Sequence, residues 1–75
     1  MSKDETVRIE IGYQGGHVTG AVVQVSSADS LEKQLADGET GLAVIEAEDS
    51  MISVVLAQVA YVRRFARDGR LGFGG

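Results

Sequence analysis

Four arginines, Arg63, Arg64, Arg67 and Arg70, crowd the last eighteen residues of this 75-residue chain, with Asp68 as the only acid among them. Each guanidinium is a planar fork of donors that fits a carboxylate or a phosphate, so the segment is suited to seeking anions. The remainder of the chain is its counterpart: residues 1–57 carry three cations, Lys3, Arg8 and Lys33, against ten acids. Opposite fields attract at close range, so the basic end is expected to lie against the acidic body of its own or a neighbouring chain. Nucleic acid is the less suitable anion, because a net charge of −4 repels a polyanion over the molecule as a whole. Tyr61, Phe65 and Phe73 stand among these arginines, and Tyr13 is the one aromatic outside the segment. Aromatics beside arginines can stack single-stranded bases, but at strand spacing Tyr61 and Phe65 read as anchors of the core or of a protein interface. The candidate partner-binding set is therefore Tyr61, Arg63, Arg64, Phe65, Arg67, Arg70 and Phe73.

Catalytic readings lack parts. His17 is the only histidine and there is no cysteine, so neither a nucleophile with its base nor a zinc set can be assembled within one chain. Glu46 and Glu48 fall on one side of a strand and could bind a hard cation or act as acid and base, but two acids ending a strand usually form a solvated edge that blocks stray pairing. Gly12, Gly15, Gly16 and Gly20 do not open a helix after a strand, and no GxxxxGK[ST] pattern occurs. The expectation is a protein with no enzymatic activity, no metal and no cofactor.

The elements that must position the arginines follow from periodicity. Val7, Ile9 and Ile11 alternate with Arg8 and Glu10, the period of a strand with one buried face. Gln14-Gly15-Gly16 breaks the run, and His17 to Val25 resumes it, so a hairpin is predicted, with Gly20 as a candidate bulge. Asp29 with Glu32 three residues later forms a capping-box pattern, which predicts a helix of about two turns starting there and stopping at Asp37-Gly38. Gly41 to Ala47, Met51 to Leu56 and Val59 to Phe65 read as strands. Ala57-Gln58 is a weak turn, so the last two are either separate or one bent strand. The expected fold is α+β, a small mostly antiparallel sheet with one short helix, ββαββ(β). One domain spans residues 1–75, with 1–5 a disordered start and 66–75 a glycine- and arginine-rich tail.

Three resemblances add to this reading. Val7 to Gly12 (VRIEIG), Gly41-Leu42, Ala57 to Val62 (AQVAYV) and Arg70 to Gly74 (RLGFG) are similar to the strand segments and closing motif of a small actinobacterial protein family of unknown function, whose members are short cytosolic chains. Arg63-Arg64-Phe65 departs from the EIG that the family tends to carry. The end in Gly74-Gly75, approached by Arg70-Leu71, resembles ubiquitin-like modifiers and sulfur carriers. That likeness implies activation of the terminal carboxylate by an adenylating enzyme, because residues without Cβ atoms thread a narrow site. Gly38-Glu39 and Ser50-x-Ile52-x-Val54 resemble the trp RNA-binding attenuation protein. Gln34, Ser53 and Val55 stand where that family places its RNA-binding cations, so what this likeness implies is ring assembly.

With no cysteine, no apolar run near the ~20 residues that span a bilayer and no signal-peptide core in MSKDETVRIE, a cytoplasmic protein without membrane contact is expected. A sheet this small favours self-association. The sequence thus points to a non-enzymatic interaction or regulatory module whose partners are copies of itself or an acidic protein.

Overall fold

The alternation of Val7, Ile9 and Ile11 does form the first strand in the computed structural model, which describes residues 5–65. Strand β1 (Thr6–Tyr13) turns through Gly15 and Gly16, both at positive φ (93° and 100°), into β2 (Val18–Gln24). Glycine is needed here because other residues strain in that region. The hairpin register is regular throughout, so Gly20, opposite Glu10, is not a bulge. The irregularity falls instead between Gly12 and Tyr13, where β1 meets the last strand.

Helix α1 (Val25–Ala36) follows β2 without a loop and is a turn longer than the capping-box pattern predicts. Its N-cap is Gln24, whose side chain makes no capping bond. The Val25 N–H donates to the Glu5 carbonyl at 2.8 Å, so a tertiary bond satisfies one of the free donors of the first turn and leaves those that a cap side chain would take. An early start also brings Ala28 and Leu31 together on the buried face. Asp29 and Glu32 are left on the helix side, facing another partner. The stop is as expected: Asp37 closes the last turn and Gly38, at φ 78°, receives the chain in the left-handed region.

Strands β3 (Leu42–Glu46) and β4 (Met51–Val55) form an antiparallel hairpin. A single 3-10 turn, Leu56–Gln58, separates β4 from β5 (Val59–Arg64), so the two are distinct strands. Two bonds hold this turn without glycine or proline. Gln14 N–H donates to the Gln58 carbonyl at 2.7 Å, and Leu56 N–H donates to that of Gly41 at 2.9 Å.

The strands divide between two sheets, one ordered β2-β1-β5 and the other β3-β4. The bridge Val23↔Ala47 and a bond from Glu48 N–H to the Val22 carbonyl join them. Ile9, Ile11 and Val23 of the first sheet meet Ala43, Ile45 and Val54 of the second, with Ala28, Leu31 and Leu56 closing the core. Five of these side chains, Ile9, Ile11, Val23, Leu31 and Val54, are wholly buried, each contributing about 1.5–3 kcal/mol. The architecture is the α+β arrangement expected from the sequence. Residues 1–4 of the expected disordered start and the tail, 66–75, lie outside the described residues. Among the described residues, no helix is long and apolar enough to cross a membrane.

Candidate interaction surfaces

Side chains alternate across β5, and this divides the expected partner-binding residues between two environments. Arg64 shares the inner side with Val62 and reaches back to α1. Its Nε donates to Glu32 Oε2 at 2.7 Å, while Nη2 donates to Glu32 Oε1 at 3.0 Å and to Asp29 Oδ1 at 2.5 Å. The two acids that read as a capping box are three apart on one helix face, which suits them to grip one guanidinium from both sides. The hydrogen bonds that Arg64 donates to Glu32 first, and to Asp29 second, raise its pKa above its already high ordinary value. This arginine is taken up within its own chain as a clasp between the last strand and the helix.

Tyr61, Arg63 and Phe65 lie on the other side, the outer face of the first sheet, and the register places them in rows. Val18, Gly12 and Tyr61 form one row, and Gly20, Glu10 and Arg63 the next. Val22 and Arg8 continue into a third row with Phe65, whose N–H donates to the Arg8 carbonyl at 2.9 Å. The Tyr61 ring lies directly over Gly12, where a Cβ would overlap it. Arg63 pairs with Glu10 across the strands at 3.6 Å. Phe65 sits between two cations, with the Arg8 and Arg63 guanidiniums 5.6 and 5.7 Å from its ring centroid. Arg8 has no carboxylate partner among the described residues. The cluster is open to solvent, with Tyr61 43% and Phe65 37% exposed. Arg67, Arg70, Phe73, Gly74 and Gly75 lie outside the described residues.

Sequence reasoning missed a second surface, the outer face of β3-β4. Leu42, Val44, Met51 and Val55 share it and are 62%, 58%, 64% and 47% exposed, with Leu42 directly opposite Val55. Ser53 and Glu46 complete the face. The signal was present: both phases of the alternation are apolar in Leu42 to Ile45, and in Met51 to Val55 Ser53 is the one polar residue. A domain with one helix cannot cover both sides of a second sheet, and α1 packs on the inner side through Ala28 and Leu31. Among the described residues, β4 pairs only with β3 and β5 only with β1, so each leaves one edge unpaired.

The remaining candidates stay apart. His17 is exposed in the first hairpin, where its carbonyl accepts from Tyr13 N–H at 2.9 Å. Glu46 ends β3, and Glu48 lies beyond it in the turn. Among the described residues, no group of three or more histidines or acids is placed to hold a metal ion. Comparisons with family models, curated proteins and solved structures find no match to this chain.

Proposed function

We propose that this chain is a non-enzymatic interaction module that self-associates, using the outer face of β3-β4 as the contact between copies. The observation that carries this reading is the set Leu42, Val44, Met51 and Val55, four exposed apolar side chains on one face of a two-stranded sheet. Together they offer on the order of 400 Å2, a patch size that marks interaction sites on small proteins. Two copies pressed face to face would cover about 800 Å2, at the small end of specific interfaces, so the association is weak and concentration-dependent. A two-stranded sheet is also marginal alone, and a second copy would supply the missing layer.

The test is light scattering and sedimentation across a concentration series, with Val44→Lys as the disrupting variant and Gln14→Lys, at an exposed position in the first hairpin turn, as a charge-matched control. Wild type and the control are expected to move from monomer towards dimer in the micromolar to millimolar range, while Val44→Lys stays monomeric and folded. A wild-type monomer at every concentration, or a dimer that Val44→Lys leaves intact, refutes the reading.

A further inference from the structure

We infer that the unpaired edge of β5 takes an extended acidic peptide segment of a partner protein as an added strand, selected by the pattern apolar-x-acid-x-apolar. The inference rests on the reading of this chain as an interaction module, and concerns a different surface from the contact between copies.

Three features meet at this edge. First, among the described residues β5 pairs on one side only, so along its other side a run of backbone donors and acceptors is open to a further strand, a recurring way for a sheet to bind a peptide. Second, the outer-face residues at alternate positions are Tyr61, Arg63 and Phe65, so a strand laid beside β5 places its own alternate side chains next to an aromatic, a cation and an aromatic. That order reads the same in both directions, and the pattern it selects holds for a parallel or an antiparallel partner. Third, the charge here is opposite to that of the molecule. The chain carries −4 overall, yet Arg8 and Arg63 flank Phe65 with Glu10 as the one acid in the same rows.

The cations are also held in place. Stacking on Phe65 and the 3.6 Å contact with Glu10 restrict Arg63, so a bound carboxylate meets an oriented fork. The contact to Glu10 is a single long one at an exposed site, weak enough for a second carboxylate to share the guanidinium. Arg64 does not compete, since Asp29 and Glu32 hold it on the inner side. A carboxylate suits the edge better than a nucleic acid strand, because it brings one negative charge to a local cluster, whereas a polyanion would meet the acids of the whole body.

The experiment titrates the full 75-residue chain, labelled with nitrogen-15, with the acetylated and amidated peptide Thr-Val-Thr-Glu-Thr-Val-Thr, and with the same peptide carrying Lys in place of Glu. It is run at a concentration where the chain is monomeric by light scattering, and again with Val44→Lys, so that failure of the contact between copies does not hide the result. Saturable shifts along Val59 to Phe65 are expected, with at least tenfold tighter binding of the Glu peptide. Arg63→Glu, at an exposed position that leaves the core untouched, should reverse the preference. The inference is overturned by no saturable shift on β5, by equal affinity for the two peptides, by a preference that Arg63→Glu does not alter, or by displacement of the peptide by oligothymidylate, which would assign the surface to single-stranded nucleic acid. Concentration-dependent shifts of the same amides without peptide would assign it to a second copy and equally overturn it.

Discussion

Gly12 and Tyr61 should behave as one unit, so that the same substitution destabilises the protein in one background and stabilises it in the other. Gly12 lies in β1 directly opposite Tyr61, and a Cβ there would overlap the ring. Gly12→Ala must therefore push the ring off the sheet. Tyr61 is 43% exposed, so roughly 110 Å2 of it is covered, taking about 200 Å2 for the whole side chain. At about 25 cal/mol per Å2 that contact is worth just under 3 kcal/mol, an upper value because the unfolded chain already hides some of it. Losing half to two-thirds of it costs about 1.5–2 kcal/mol, against which alanine regains about 0.5–1 kcal/mol over glycine within a strand. The net expectation is a loss near 1 kcal/mol in the wild type. In a Tyr61→Ala background nothing is left to displace, and Gly12→Ala should stabilise by about 0.5–1 kcal/mol. Urea unfolding of the four proteins, followed by circular dichroism, measures the cycle, with an expected coupling of about 1.5–2 kcal/mol. If Gly12→Ala costs the same in both backgrounds, the ring does not lie over the glycine and the reasoning is refuted.

Two further outcomes follow from the helix. Gln24→Ser places a hydroxyl at an N-cap whose side chain makes no bond and whose backbone is already extended, and should raise stability by about 0.5–1 kcal/mol in the same unfolding assay. For the clasp, Arg64→Lys keeps the charge but loses the two-point grip on Glu32, and Arg64→Met loses both, so urea midpoints should fall in the order wild type, Lys, Met. The raised Arg64 pKa means that its contribution is complete below the arginine range of the unfolded chain and is lost only as pH climbs through the higher folded value. Loss of the wild-type advantage over Arg64→Met between about pH 6 and 9 would contradict this.

The strands were legible where one phase of the alternation is polar. In β1, Arg8 and Glu10 mark the outer side as clearly as Ile9 and Ile11 mark the inner. The second hairpin lacked that contrast, and which face of Leu42–Glu46 is buried became evident only once the position of α1 was known. The helix start was misplaced for a different reason. Asp29 and Glu32 have the types and spacing of a local cap, but their partner is Arg64, more than thirty residues on, and a window of neighbouring residues cannot contain it. Arg63 and Arg64 show the same limit. They are adjacent and chemically alike, yet strand parity sends one to the outer face and the other to the helix.

Strand parity has a consequence for how such a molecule can change. Ile9, Ile11 and Val54, which hold the chain together, never share a side with Arg8, Tyr61 or Val44, which meet whatever lies outside. Recognition at positions such as Arg8 or Val44 can therefore be rewritten one residue at a time with no correction beneath them, whereas Tyr61 must change together with Gly12, so most of the outer surface can be retargeted while the folding instructions stay intact.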